Sequence, residues 1–429
     1  MNTLWIIPIE PIDQRYTKQW YDNIPVILEQ EIKIKELDYQ VVTIDGEDFA
    51  PEQRTEGAFL DFGATNVYKA TQTAEVSKLF SNGKVKPGDK FLVTDAWNFI
   101  ITPIRYMSDL LDIPVEIHSI WHAGAYDPTD ILGYKMRHDW PHHVERSWFQ
   151  ASDYNYYATE FHRTMFLRNL NIPQGDYHKA IRSGQPHELI IDDLVKHKDT
   201  PKERSVMWPH RYNADKQPEI AEDLNNHFDM IITQKMNLSK ADYYATMGSS
   251  RAIFSCALHE NLGISVMEAV LTGTIPILPD RASYKEMYLP EFKYPSEWTE
   301  SYEAYTKHKQ QLMDFISERL DNPEKYQPLN FCIAEEGYGS VFDGSCAEVY
   351  DIYQGVEEMM PKAMALSAKS NDFDENGDET FIDYERMLRI AKSAGYDGFI
   401  GVEYEGSRLS EIEGIKATRD LLIKASASL

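Results

Sequence analysis

The sequence predicts an α/β protein: two parallel sheets in succession, followed by a shorter β/α segment. Three observations carry that reading. Over residues 1 to 180, short apolar runs bounded by Gly, Pro or Asp alternate with helical patterns. A second series of the same kind begins after a polar, charged stretch at His187–Lys202, and the character changes again from Gln327 onward. In the first series the runs are Leu4–Ile9, Gln40–Ile44, Lys90–Asp95, Val115–Ile120 and Tyr154–Ala158, with helices expected at Trp20–Leu37 and Thr102–Leu111. Such alternation calls for a parallel sheet covered on both faces, because each crossover lays a helix against the sheet. The second series reads Ser205–Trp208, His227–Thr233, Ala252–Cys256 and Ile275–Leu278. The expected domains are 1–185, 186–326 and 327–429.

A chain of 429 residues is long enough for two or three domains, each burying its own core. Aromatics make up 12% of it, which suits an enzyme with stacking surfaces for carbohydrate and argues against disorder. The cysteines Cys256, Cys332 and Cys346 show no metal-ligand spacing and fit a reducing cytosol without disulfides. No metal site and no resident cofactor are expected. The N-terminal apolar run lacks a basic flank and is too short for a signal sequence, so it reads as a first strand. No stretch approaches transmembrane length and no basic membrane-anchoring helix is evident, so a cytoplasmic protein with no membrane partner is expected. The formal net charge is −26. Nucleic-acid binders usually carry a basic footprint. The acidity is uneven, however, with about −11 of it in residues 331–429. A basic, aromatic stretch runs from Lys135 to Trp148 and includes Arg137 and Arg146. Such a patch can bind phosphates even on an acidic chain, with a steep salt dependence.

The chemistry concentrates in two glutamates eight residues apart, Glu260 and Glu268, within His259-Glu-Asn-Leu-Gly-Ile-Ser-Val-Met-Glu268-Ala-Val-Leu-Thr-Gly-Thr-Ile-Pro276. A strand runs into a loop, Gly263 permits a close backbone approach, and a helix is expected from Ile264 to Leu271. Unpaired N–H groups at a helix start suit a phosphate, whereas flanking carboxylates suit hydroxyls. The ligand these groups call for is half phosphate and half polyol, as a nucleotide-diphosphate sugar is.

Glu-x7-Glu followed by Ala-x3-Gly-Thr-x-Pro resembles the donor-site signature of retaining glycosyltransferases of the GT-B fold, the large family that includes sucrose and glycogen synthases. The resemblance implies two facing Rossmann-like lobes with the ligand crevice outside the carboxyl ends of the strands. It also implies that Glu260 faces the transferred sugar, that Glu268 holds the ribose hydroxyls, and that Gly263 and Ile264 approach the diphosphate. Upstream, Met207-Trp-Pro-His-Arg-Tyr-Asn-Ala-Asp-Lys-Gln-Pro-Glu219 brings Arg211 and Lys216 into the loop after a strand. Two cations five residues apart can clamp a diphosphate and stabilise it as it leaves, without a metal. This pair is similar to the Arg…Lys pair of the same family. Together with Ser283-Tyr284-x-Glu286 the segment resembles the tRNA-queuosine mannosyltransferase branch.

In the first lobe, Ile117-His-Ser-Ile-Trp-His-Ala-Gly-Ala-Tyr-Asp127 puts His122 and Asp127 at the crevice mouth. By the resemblance His122 touches the donor sugar, while His118, inside the strand, reads equally as a structural histidine. Tyr157-Ala-Thr-Glu-Phe-His162 is similar to the family's Asn-Ser-x-Phe segment and is a weaker contact site. The opening Pro8-Ile-Glu-Pro-Ile-Asp-Gln-Arg-Tyr-Thr-Lys-Gln-Trp-Tyr21 is unlike the family's Gly-rich first loop. It resembles tailed-phage glycosyltransferases, some of which act on hydroxymethylated pyrimidines in viral DNA. Glu10, Asp13, Arg15 and Tyr16 would then line the acceptor side with Asp127, and Lys135, Arg137 and Arg146 would meet DNA phosphates. The other reading of the opening is a helix start with a solvated charged face.

From Gln327, the runs at Asn330–Ile333, Ala365–Gly377, Ile382–Ile390 and Ala394–Gly406 resemble the C-terminal part of xylose-isomerase-type sugar-phosphate isomerase/epimerase TIM barrels. Whole barrels need about 250 residues, so this is a fragment without its metal-binding half. Glu403 matches a final-strand metal ligand, but a lone carboxylate is a poor metal site. The segment reads as an appendage for structure or assembly, able to join copies of the chain. Inside it, Asp372-x-Asp374-x-Asn376-Gly377-x5-Asp383 approaches a calcium loop but ends in Asp, carries Glu379 at an apolar position and lacks a preceding helix. An Asx-rich turn is expected there.

The functional expectation is a soluble, metal-independent retaining glycosyltransferase using a UDP-sugar ahead of a GDP-sugar, with 5-hydroxymethylcytosine in phage DNA as acceptor and the host cytoplasm as location. The alternatives are a tRNA-queuosine or surface-glycan transferase and, from other classes, a sugar-phosphate isomerase/epimerase or a non-catalytic sugar-binding protein.

Overall fold

The first strand, β1 (Asn2–Ile7), lies inside a parallel sheet, as its apolar sequence on both faces requires. The computed structural model describes residues 1–13, 15–49, 61–136, 138–186, 189–327, 352–363, 365–380, 382–406 and 408–427. The chain divides into two compact units, Met1–Asp343 and Gly344–Leu429.

In the first unit, β1 pairs with β2 (Tyr39–Thr43) on one side and β3 (Lys90–Val93) on the other. Then come β4 (Glu116–Trp121), β5 (Tyr154–Tyr157) and β6 (Ala180–Arg182), giving the order β2-β1-β3-β4-β5-β6. A second parallel sheet follows: β7 (Glu203–Trp208), β8 (Asp229–Ile232), β9 (Ser250–Phe254), β10 (Ile275–Pro279) and β11 (Lys293–Tyr294), in the order β11-β10-β9-β7-β8. The strand order reverses between β1 and β3 in one sheet and between β7 and β9 in the other, all strands remaining parallel. Such switch points leave a crevice at the carboxyl ends of the strands.

The expected strands are present with ends shifted by a few residues, as the fraying of element ends allows. Two short edge strands, β6 and β11, were not expected; runs of three and two residues carry too little periodicity to be read. The first helix spans Tyr16–Ile34 rather than Trp20–Leu37, and Pro25 sits within it without ending it. Each sheet has its own core. Val206, Met207, Trp208, Ile253, Phe254 and Ile277 are wholly buried in the second, Ile7, Phe91, Val93 and Ile117 in the first. Each such side chain contributes roughly 1.5–3 kcal/mol on burial.

In the second unit, β12 (Leu366–Ser370) pairs in parallel with β13 (Ile400–Tyr404), the helix Tyr384–Ser393 connects them, and the helix Glu411–Ser426 follows under a Ser410/Glu413 capping box. Phe373, Tyr384, Leu421 and Ala425 form its small core. The Asx-rich turn expected within Asp372–Asp383 is there: Asp374 accepts the N–H groups of Asn376 and Asp378, both at 2.9 Å. Glu379 is turned inward onto the N–H groups of Asn371 and Ile382. The run at 330–333, with Cys332, and Cys346 fall outside the described residues.

Candidate active site

The loops after β7 and β9 meet at the switch point of the second sheet, and there Lys216 and Glu260 come together. Lys216 Nζ lies 3.1 Å from Glu260 Oε2 and 3.2 Å from Asp215 Oδ2, and it donates to the His259 carbonyl. Lys216 is buried, which excludes water from the contact and strengthens it. Burial pushes the Glu260 carboxyl upward, but the Lys216 charge, with His210 and His259, outweighs it and holds the pKa below the ordinary value. Glu260 is therefore an ionised acceptor at neutral pH. Burial also drives His210 down to about 4, so it is neutral, and it shares a 2.9 Å hydrogen bond with Ser255.

Arg211 stands 3.9 Å from Asp215, and its buried Nε has no hydrogen-bond partner among the described residues. Across the crevice Arg15 precedes the helix Tyr16–Ile34. Burial first, and then the like charge of Arg211, lower the Arg15 pKa. Two guanidinium groups from opposite lobes thus repel one another, an arrangement that a polyanion between them would relieve.

Gly263 starts the helix Ile264–Leu271, which no side chain caps. Its φ of +84° is open to glycine, and a Cβ there would come within 2.7 Å of the Tyr284 ring. Ile264 opens the first turn, where backbone N–H groups accumulate partial positive charge. Farther along, Glu268 is buried, and its Oε1 accepts from Tyr244 Oη at 2.9 Å and Lys240 Nζ at 3.0 Å. Gln19 of the first sheet's lobe donates to the same Tyr244 hydroxyl at 3.0 Å. Neither Lys240 nor Tyr244 is signalled by the sequence, because each is far from Glu268 along the chain.

His122 lies at the end of β4, half-buried, with Nε2 2.8 Å from the Thr94 carbonyl and its ring against Trp20 and Tyr16. Its own carbonyl accepts from Asn261 Nδ2 at 3.1 Å, so it sits beside the Glu260 loop. His118 is held within the sheet between Tyr156 and Glu116, as a structural histidine. His162 is a core residue hydrogen-bonded to Tyr126, and burial lowers its pKa to about 3. Its neighbours Glu160 and Phe161 donate their N–H groups to the two oxygens of Glu286 at 2.7 and 2.8 Å, tying the two lobes together.

Asp127 corrects an expectation. It does not line an open acceptor surface: it is 1% exposed, and its Oδ2 lies 2.9 Å from His259 Nδ1 of the other lobe. A carboxylate buried in an ion pair is spent on that partner. Glu10 lies part-buried beside Thr65; burial raises its pKa, and Asp48 and Asp61 add to the rise. Asp13 is exposed. Lys135 is exposed at the end of the helix Ile131–Lys135, and Arg146 is half-buried with its Nε donating to the Leu170 carbonyl at 2.9 Å. Arg137 lies outside the described residues.

No model of a known protein family matches the chain. A tRNA-queuosine alpha-mannosyltransferase of Drosophila melanogaster is 25% identical over 119 residues, which cover 21% of this chain and 32% of that protein. The chain thus spans about a third of the length of the curated relative it matches. An alpha,alpha-trehalose-phosphate synthase (UDP-forming) from Burkholderia vietnamiensis superposes with a TM-score of 0.51 at 12% identity, over 79% of this chain and 94% of that one. Sucrose-phosphate synthase from Thermosynechococcus elongatus does so with a TM-score of 0.50 at 10% identity, over 78% and 94%. The chain has the α/β fold of the GT-B glycosyltransferases, two Rossmann-like sheets meeting at a crevice.

Proposed function

We propose that the chain is a retaining glycosyltransferase that moves a sugar from a nucleotide-diphosphate sugar, a UDP-sugar ahead of a GDP-sugar, to a hydroxyl acceptor. The observation that carries this reading is the meeting of Lys216, Arg211 and Glu260 beside an uncapped helix start at the sheet's switch point. The diphosphate lies against Gly263 and Ile264 and between Arg211 and Lys216, whose charges stabilise it as the glycosidic bond breaks and stand in for a metal. Ionised Glu260 accepts sugar hydroxyls, Glu268 accepts those of the ribose, and His122 reaches the sugar from the opposite lobe. The acceptor oxygen attacks the face from which the diphosphate departs, and a departing phosphate oxygen takes its proton.

The acceptor in this reading is a hydroxyl on a modified nucleobase, first 5-hydroxymethylcytosine in phage DNA, where a major-groove hydroxymethyl needs less displacement than full base flipping. Glu10, Asp13, Arg15 and Tyr16 line its side of the crevice, with Lys135 as a phosphate contact. The similarity to the tRNA-queuosine alpha-mannosyltransferase favours a second reading, a queuosine hydroxyl in tRNA. The reaction belongs in the cytoplasm; among the described residues no helix is long and apolar enough to cross a membrane. The C-terminal unit, read as a barrel fragment, serves assembly between copies of the chain and not the chemistry. Mass spectrometry of hydroxymethylated DNA and bulk tRNA after incubation with UDP- and GDP-sugars tests both acceptors. A hexose mass added to one of them supports the reading, and unchanged masses in both with every donor oppose it.

A further inference from the structure

We propose that Asp127 and His259 are a positioning pair that sets Glu260 when the two lobes meet; this rests on the reading of Glu260 as the sugar-facing carboxylate. His259, Glu260 and Asn261 are consecutive, yet they are held by different lobes. His259 Nδ1 lies 2.9 Å from Asp127 Oδ2 and 2.9 Å from Thr129 Oγ1. Asn261 donates to the His122 carbonyl at 3.1 Å, and its own carbonyl accepts from Thr159 Oγ1 at 2.8 Å. Glu260, between them, is joined to its own lobe through Lys216 and the Ser283 N–H. The first lobe therefore grips the residue on either side of Glu260 and leaves its carboxylate to the crevice.

Asp127 is suited to this task because it is itself fixed. Its Oδ1 accepts the Thr129 N–H at 2.9 Å and the Thr129 hydroxyl at 2.6 Å, so Oδ2 is presented to His259 in one orientation. The His259 carbonyl in turn accepts from Lys216, which carries the same constraint to the second member of the site. Glu286 joins the lobes independently through Glu160 and Phe161. Loss of the Asp127–His259 pair should thus misplace Glu260 without separating the lobes, and a displacement of this kind lowers turnover more than binding.

The test uses Asp127→Asn, His259→Gln and the double variant in the full chain, with melting curves as the check on folding. Nucleoside diphosphate release is followed with UDP-glucose, UDP-galactose, UDP-N-acetylglucosamine and GDP-mannose. We expect kcat to fall roughly a hundredfold in each single variant with donor KM little changed, and the double variant to lose no more than the singles. Thr129→Val, which keeps both charges and removes the hydroxyl between them, should lower kcat roughly tenfold and decides the matter if the charge variants do not fold. Unchanged kcat, or a loss confined to KM, overturns the positioning role and leaves the donor site standing. A parent that releases no nucleoside diphosphate from any of the four donors overturns the reading of the site, and the pair's role with it.

Discussion

One buried ammonium, that of Lys216, holds two carboxylates at once: Glu260 at 3.1 Å and Asp215 at 3.2 Å. Sharing one cation between two carboxylates lets structural and chemical roles within the cluster be separated by mutation. Lys216→Ala would leave the part-buried Asp215 and Glu260 without their shared cation and should destabilise the chain by about 3–5 kcal/mol. Glu260→Gln leaves the ammonium with Asp215 and should cost far less. Urea unfolding of both variants checks the order, and equal losses would show that the charges are not coupled.

Arg211 is placed for chemistry more than for stability, since Asp215 is 3.9 Å away. Arg211→Ala should therefore melt close to the parent and still lose turnover by roughly a hundredfold, the usual effect of removing one charge-stabilising donor. Steady-state release of nucleoside diphosphate measures this.

Glu268 should select for ribose. With Lys240 and Tyr244 holding its Oε1, the carboxylate is fixed to accept a hydroxyl. The parent should bind UDP roughly tenfold or more tightly than 2′-deoxy-UDP, the scale of one charged hydrogen bond. Glu268→Gln should lose most of that preference. A variant that discriminates as well as the parent would remove Glu268 from the ribose.

The Asp127–His259 pair gives stability a readable pH dependence. Salt-bridging to His259 and bonding to Thr129 outweigh burial and lower the Asp127 pKa from 3.8 to about 2. Its contribution, about 2 kcal/mol, is complete above the unfolded value and lost as pH falls through about 2. His259 moves the other way. Burial lowers its pKa, but Asp127 outweighs that and raises it above 6.5. Its contribution is complete below 6.5 and lost as pH rises through the raised value. The stability gap between the parent and His259→Gln should therefore be widest below the ordinary histidine value of 6.5 and narrow as denaturation is repeated at rising pH through the raised His259 value.

The C-terminal unit should stand apart from the chemistry. Glu403 accepts a hydrogen bond from Ser367 at 3.0 Å, and among the described residues no group of three or more His, Cys, Asp or Glu is arranged to hold a metal ion. Glu403→Gln should keep full transferase activity, and EDTA should leave the parent's turnover intact. Loss of turnover in EDTA with recovery on adding Mg²⁺ or Mn²⁺ would contradict the two-cation mechanism.

The crevice could be read from the sequence because its parts are local. The Glu260-to-Pro276 run contains a loop, a helix start and two carboxylates within one βα unit, and Arg211 and Lys216 occupy a single loop. What joins the lobes is not local. His259 meets Asp127 across 132 positions, and Glu286 reaches the Glu160 N–H across 126. Nothing in the periodicity of either segment points to the other. The place of Asp127 after β4 puts it at the crevice mouth, but its burial between Thr129 of its own lobe and His259 of the other is not legible in the sequence. Lys240 escaped notice for the same reason: its partner Glu268 lies 28 residues on, behind an intervening strand.

Calorimetric titration of UDP and GDP into the parent, Arg211→Ala and Lys216→Ala tests the central claim most directly, because it needs neither the sugar nor the acceptor. The account predicts one nucleoside diphosphate per chain in the parent, UDP more tightly than GDP, and a loss of roughly tenfold or more in each folded variant, the scale of a charge-assisted bond to phosphate. Equal binding by all three proteins, or no binding of either nucleotide by the parent, would contradict it.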